Sequence, residues 1–189
     1  MTHFTALFDA CVLYPAPLRD VLMQVALTDL FRAKWTDRIH DEWIRNVLAN
    51  NPNLTTEQLD RTRTLMNANV RGCLVTGYES LIEAVTLPDP EDRHVLAAAI
   101  RSGADVIVTF NLRDFPDDIL QPLGLEAQHP DDFLSFQLDL APGIVCTALK
   151  RIRARLKNPP RTSADYLDTL EQQGLPQFVS NLRAFEELL

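Results

Sequence analysis

Hydrophobic residues in the first two thirds of the chain alternate between short continuous runs and longer stretches with helical spacing. The run FTALFDA at residues 4–10 predicts a first β-strand, and ADVIVTF at residues 104–110 predicts a later one. GCLVTG at residues 72–77 predicts a short buried strand between them, and LEAQ at residues 125–128 is a candidate for a last strand. Short, continuously apolar strands are typical of a parallel sheet that is covered on both faces.

Apolar residues between these runs recur every three or four positions, as they do on one face of an amphipathic helix. Helices are predicted at residues 15–33, 36–50, 55–72 and 89–102, with a brief helix or irregular connection at 79–87. This alternation predicts an α/β fold, with a mostly parallel sheet flanked by helices. From about His129 only helical patterns remain. We therefore expect an α/β domain at residues 1–129 and an all-helical C-terminal extension at residues 130–189.

The composition is that of an ordinary globular protein, with 46% hydrophobic and 23% charged residues in a chain of 189. No apolar run approaches the roughly 20 residues that a membrane span requires, so no membrane association is expected. The first residues lack the basic and apolar regions of a secretory signal. Three widely spaced cysteines form no metal-binding pattern, and they suggest a reduced, cytoplasmic protein.

The net charge of −8 is unevenly distributed along the chain. Residues 1–142 hold 11 Lys and Arg against 21 Asp and Glu, whereas residues 143–189 hold 7 against 5. The segment KRIRARLKNPPR predicts a basic helix face in the C-terminal extension. This face either binds a polyanion such as a nucleic acid or is a solvated surface that offsets the acidic body. The candidate residues for such binding are Lys150, Arg151, Arg153, Arg155 and Lys157, with Leu149, Ile152 and Leu156 marking the buried side.

The helix in PDPEDRHVLAAAIRSG begins with three acids, and one of them is placed unusually. Asp89 suits the N-cap, and Pro90 suits the first helical position, so ordinary helix formation accounts for this entry. Asp92, however, precedes Leu96 by four residues and lies on the apolar stripe. A carboxylate on a buried face is costly unless a positive partner meets it. His94, two residues further on, is expected to point away from the Asp92 side of the helix.

Other acids are predicted at the same edge of the sheet. Asp9 directly follows the first strand, and Asn111 and Asp114 follow the strand ADVIVTF. Ligands in open α/β sheets bind beyond the carboxyl ends of the strands, and Asp92 begins a helix at that edge. Glu42 reaches it if the second helix packs beside the first strand. Carboxylates that crowd together favour a bound cation, and a site made of oxygen ligands suits Mg²⁺ or Mn²⁺.

The ordered segments FDAC, HDEW, DPEDRHVLAAAIRSGADVIVTFN and NLRDF resemble the PIN domain family of metal-dependent ribonucleases, most closely the VapC-type toxins of toxin–antitoxin systems. The resemblance covers residues 1 to about 130, and the helical extension is similar to that of one subgroup of larger VapC proteins. It implies a PIN-like parallel sheet and four catalytic acids, Asp9, Glu42, Asp92 and Asp114. The implied metal ligands are Asp9, Asp92 and Asp114, with support from Asn111 and Arg93.

The resemblance also implies in-line hydrolysis of an RNA phosphodiester that leaves a 3′-hydroxyl and a 5′-phosphate. Glu42 would ligate through water or accept the proton of the attacking water. The implied partners are an RNA substrate and a cognate antitoxin, and a homodimer is left open. A catalytically degenerate PIN fold that acts as a binding or scaffold protein is the alternative. A haloacid-dehalogenase phosphatase is disfavoured because Cys11 occupies the position of its second Asp.

Overall fold

The computed structural model describes residues 4–189, which form two compact units. One unit consists of the described residues up to Tyr14 together with Phe31–His129, and the other of Pro15–Leu30 together with Pro130–Leu189. The helical unit thus includes a segment from the N-terminal part of the chain. The division into domains at residues 129 and 130 stays a prediction.

The first unit contains a four-stranded, entirely parallel sheet with the strand order β2-β1-β3-β4. The strands are β1 at Thr5–Phe8, β2 at Arg32–Lys34, β3 at Val106–Val108 and β4 at Glu126–Gln128. The central strands β1 and β3 are buried along their whole length, which explains their continuous apolar sequences. The predicted α/β class, with a PIN-like parallel sheet and an all-helical C-terminal region, is confirmed.

The predicted strand at residues 72–77 was wrong, because the second strand of the sheet lies earlier in the chain. Helix α2 ends at Ala26, before the predicted end at residue 33, and Asp29 adopts a left-handed conformation with φ 60°. The chain then pairs as β2, whose Arg32 N–H donates to the Phe4 carbonyl at 2.8 Å. GCLVTG contributes only a single parallel bridge, between Leu74 and Trp35. The sequence did not indicate β2 because its three residues, RAK, form an edge strand without an apolar pattern.

The helices of the first unit surround this sheet. They are α1 at Ala10–Leu13, α3 at Asp37–Asn50, α4 at Thr56–Asn69, α5 at Arg93–Ser102 and α6 at Asp117–Leu120. The predicted helix at residues 89–102 begins with a 3₁₀ turn at Pro90–Asp92, where the Asp89 side chain accepts from the Glu91 N–H at 2.9 Å. It ends at Gly103, whose left-handed φ of 61° favours glycine. Helix α5 packs on β1 and β3, which places its N-terminus near their carboxyl ends.

The second unit is entirely helical. Its helices are α2 at Ala16–Ala26, α7 at Pro130–Leu140, α8 at Pro142–Arg155, α9 at Ser163–Glu171 and α10 at Pro176–Leu182. The buried carboxylate of Asp131 accepts hydrogen bonds from the N–H groups of Gln177 and Phe178, at 3.0 and 2.7 Å, and so caps α10. Within residues 4–189 no single helix has the length and hydrophobicity to span a membrane, although α7 and α8, bent by 119°, meet those two criteria together.

Candidate active site

Asp9 lies at the end of β1 and is held by several hydrogen bonds. Its side chain is 5% exposed, and its backbone N–H donates to the Val108 carbonyl of β3 at 3.1 Å. Oδ1 accepts from the Ala10 N–H at 2.6 Å, which makes Asp9 the N-cap of α1. Oδ2 accepts from the Thr109 hydroxyl at 2.7 Å and from the Cys11 thiol at 3.1 Å. Asp9 is therefore fixed in position by the junction of the two central strands.

Thr109 and Cys11 are site residues that the sequence reasoning missed. The Thr109 hydroxyl donates to Asp9 and accepts from the Asn111 N–H at 3.0 Å, so it joins the first acid to the loop after β3. Burial, and then the charge of Asp9, raise the pKa of Cys11 to about 12. Cys11 therefore stays a thiol that donates to the carboxylate. The sequence could have indicated both residues, because Thr109 directly follows β3 and Cys11 lies shortly after β1.

Asp92 is the carboxylate that its surroundings perturb most clearly. Its pKa is raised from 3.8 to about 6, and burial is the largest cause. The next causes are the negative charges of Asp9, Asp89 and Asp114, in that order, which the charge of His94 partly offsets. Asp114 closes a 3₁₀ turn at Leu112–Asp114 directly after β3. The structure thus brings acids from three separate segments close enough together to repel one another.

Glu42 is held by contacts with the side chains of His94 and Arg38. Its Oε1 lies 3.0 Å from Nε2 of His94 and 3.4 Å from Nε of Arg38. Burial alone would raise the pKa of Glu42, but the hydrogen bond and charge of His94, together with Arg38, lower it below its usual value. His94 was expected to point away from the Asp92 side of the helix, and its contact with Glu42 was not predicted. The ring is buried and directed at this second predicted acid, a contact between α3 and α5 that only the folded structure reveals.

Arg93 and Asn111, the two predicted supporting residues, occupy different environments. Arg93 is half-buried, and its Nε is enclosed without a hydrogen-bond partner among the described residues. Asn111 is exposed, and its backbone carbonyl accepts from the Asp114 N–H at 3.0 Å. The enclosed Nε of Arg93 is thus a donor without a partner among residues 4–189. The Asn111 side chain makes no capping hydrogen bond to the turn that it begins. Their functional roles stay predictions.

The donor set of the site fits a divalent cation in its chemistry. Asp9, Asp92 and Asp114 offer only carboxylate oxygens, and after burial the charges of Asp9, Asp89 and Asp114 are the next causes of the raised pKa of Asp92. In their present positions, however, no three His, Cys, Asp or Glu side chains of residues 4–189 form a ready ligand set. The chemistry of the residues thus suits Mg²⁺ or Mn²⁺ better than their present spacing does.

The predicted basic face of the helical unit forms only in part. Helix α8 ends at Arg155, so Lys157 lies beyond it, and Leu156 is 38% exposed and not buried as expected. The Arg153 guanidinium donates to the Leu189 carbonyl at 3.2 and 2.9 Å and to the Arg161 carbonyl at 3.0 Å.

Arg155 is also engaged within its own unit. It donates to the Arg151 carbonyl at 3.1 Å and to the Gln24 side chain. Two of the five predicted RNA-binding cations therefore make contacts that stabilise the helical unit. Lys150, Arg151 and Lys157 are exposed, and for them the predicted role in RNA binding still stands as a prediction.

These features identify the class of protein to which the chain belongs. The family model described as PIN domain matches residues 5–113, more than half of the chain, and so the chain belongs to the PIN domain family. Residues 130–184 match the family model described as VapC50 C-terminal domain. The predicted resemblance to PIN domains and VapC proteins is confirmed.

Among proteins with curated names, the chain is similar to one from Mycobacterium tuberculosis called "Putative ribonuclease VapC50". The two are 46% identical over 107 residues, which are 57% of this chain and 62% of that protein. The match therefore spans less than two thirds of the relative. No solved structure matches the chain at a significant level.

Proposed function

We propose that the chain is a metal-dependent endoribonuclease, the toxin of a type II toxin–antitoxin pair. The observation that carries the proposal is the convergence of Asp9, Asp92 and Asp114 from three segments. Burial, and then the charges of Asp9, Asp89 and Asp114, raise the pKa of Asp92 to about 6. Membership of the PIN domain family and the likeness to a protein named a ribonuclease support the same reading. A carboxylate cluster of this kind is poorly suited to bind anionic RNA unless a cation neutralises it.

In this proposal Asp9, Asp92 and Asp114 hold one or two ions of Mg²⁺ or Mn²⁺. A bound ion supplies Lewis-acid chemistry, which lowers the pKa of a water molecule and stabilises charge on the phosphate oxygens. Thr109 and Cys11 orient the Oδ2 atom of Asp9 through their hydrogen bonds.

The remaining residues of the proposed site act on water and on the substrate. Glu42, whose pKa is lowered by His94 and Arg38 against the effect of burial, is ionised and accepts a proton from water. Arg93, whose side chain is only half-buried, donates to a phosphate oxygen of the substrate. Hydrolysis then leaves a 3′-hydroxyl and a 5′-phosphate.

The partners follow from the same proposal. The proposed substrate is cellular RNA, and the proposed location is the cytoplasm. The exposed side chains of Lys150, Arg151 and Lys157 contact the RNA backbone. The proposed antitoxin inhibits by covering the acidic site with a basic or hydrophobic segment.

RNA cleavage by the purified chain tests the proposal. We expect 5′-phosphate ends to appear with Mn²⁺ or Mg²⁺ and to vanish with excess EDTA and in the Asp92→Asn variant. Asp89→Asn is the matched control, because Asp89 caps the 3₁₀ turn through a bond that asparagine can also accept. Cleavage that survives EDTA would contradict the metal mechanism. A wild-type chain that binds RNA but never cleaves it would favour the degenerate scaffold.

A further inference from the structure

Within residues 4–189 the side chain of His94 makes one polar contact, and this contact is with a proposed catalytic acid. The ring is 1% exposed, and its Nε2 lies 3.0 Å from Oε1 of Glu42. The other ring nitrogen, Nδ1, is equally enclosed and has no hydrogen-bond partner among residues 4–189. A buried nitrogen without a partner destabilises the folded state. Packing alone therefore does not explain why this position in the apolar part of α5 holds a histidine.

His40 provides the comparison within the same unit. It is also fully buried, but its Nδ1 accepts from the Trp43 indole N–H at 3.0 Å. Its Nε2 lies 3.0 Å from Oδ1 of Asn67. His40 thus uses both nitrogens in contacts between core residues, as expected of a structural histidine. His94 uses only one, and uses it on a carboxylate at the candidate site.

The contact of His94 connects two helices that each carry a proposed catalytic acid. Glu42 lies on α3, whereas Asp92 and His94 are close together at the start of α5. The second partner of Glu42, Arg38, has a side chain that is 41% exposed and a longer contact of 3.4 Å. A bond from the buried ring therefore fixes Glu42 relative to Asp92 more firmly than the contact with Arg38 does.

We propose that His94 is a positioning residue for Glu42. Its Nε2–H donates to Oε1, holds the carboxylate beside the acidic cluster, and leaves Oε2 available to a water molecule. This inference rests on the proposed function, in which Glu42 accepts the proton of water. His94 itself touches neither substrate nor metal, and it acts entirely through Glu42.

A double-mutant cycle tests the proposal, with a synthetic RNA that carries a cleavage site mapped on cellular RNA. His94→Leu should lower kcat by about 10- to 100-fold, with little change in KM, because the proton acceptor is misplaced. In a Glu42→Gln background the same substitution should change kcat by less than about two-fold, because its effect has already been lost. His94→Gln, whose amide N–H can replace Nε2–H, should recover most of the activity.

Two measurements that do not depend on activity separate positioning from packing. His94→Leu should melt within a few degrees of the wild type, since removal of the unpaired Nδ1 offsets the loss of the contact with Glu42. His40→Leu should melt clearly lower, because Trp43 and Asn67 each lose one hydrogen-bond partner in the core. Long-range proton–nitrogen NMR of the imidazole rings should show Nε2 of His94 protonated, with a resonance that shifts in Glu42→Gln.

Equal losses from His94→Leu in both backgrounds, or a fall in melting temperature like that of His40→Leu, would overturn the positioning role. An active wild-type enzyme with such results would leave the proposed ribonuclease function in place. A wild-type chain that cleaves no RNA, with the NMR contact present, would instead overturn the proposed function and the positioning role together.

Discussion

Replacing Asp92 with asparagine removes the charge that the folded chain accommodates least favourably. Asp92 has a pKa of about 6 in place of 3.8, mainly through burial and then through the nearby charges of Asp9, Asp89 and Asp114. Each pKa unit corresponds to about 1.4 kcal/mol, so the full effect at neutral pH would be about 3 kcal/mol. Asp92 is only half-buried, and solvent screening reduces this value. We expect Asp92→Asn to raise the free energy of unfolding by about 1 kcal/mol at pH 7.5 without metal.

The sign of the pH dependence follows from the raised pKa. Ionised Asp92 destabilises the fold, so the wild type loses stability as pH rises from about 3.8 through about 6. The advantage of Asp92→Asn should therefore be smaller at pH 5 than at pH 7.5. Urea unfolding in EDTA at the two pH values measures it, with Asp89→Asn as the control. A variant that is less stable than the wild type at pH 7.5, or whose advantage is independent of pH, would refute the reasoning.

Three further predictions concern other contacts. Asp131→Ala should lower the free energy of unfolding by about 3 kcal/mol in thermal unfolding, because the buried N–H of Phe178 and the part-buried N–H of Gln177 lose a charged acceptor. Asp132→Ala, at an exposed position, should change little, and equal effects would contradict the capping role. Thr109→Val should weaken Mn²⁺ binding in calorimetry, because Oδ2 of Asp9 loses the hydroxyl donor that orients it. Thr109→Ser keeps a hydroxyl and should bind Mn²⁺ as the wild type does. An unchanged affinity in Thr109→Val would show that Thr109 does not support the site. The double variant Lys150→Gln, Arg151→Gln should show a weaker salt dependence of RNA binding, because contacts with phosphates release counterions, and it should cleave at the same position. If the affinity depends on salt concentration as in the wild type, these two cations do not bind the RNA backbone.

The central strands, and the positions of Asp9 and Asp92 near the carboxyl ends of these strands, could be predicted because they depend on local sequence pattern. Asp9 ends a continuously apolar run, and Asp92 tops the buried stripe of a helix with clear start signals. The strand at Arg32–Lys34 could not be predicted in this way. Its three residues carry no apolar repeat, and their pairing depends on the reversal at Asp29.

The hydrogen bonds around the acids could not be predicted either, because they join distant segments. The Thr109 hydroxyl donates to Asp9 across 100 positions of sequence. His94 on α5 contacts Glu42 on α3, a helix much earlier in the chain. The basic segment shows the same limit in the second unit. Its helical spacing suggested a continuous face, but Arg153 is engaged by the carbonyl of Leu189, 36 residues away.

The position of a bound manganese ion tests the central claim most directly. Crystals of the wild-type chain soaked in Mn²⁺ should show an anomalous peak between the carboxylates of Asp9 and Asp92, within ligand distance of Asp114, and the peak should be lost in Asp92→Asn. The control is protein recovered from the same crystals, which should cleave RNA in the presence of Mn²⁺. If this protein is active but the anomalous peak lies elsewhere, or is absent from this cluster, the account is contradicted.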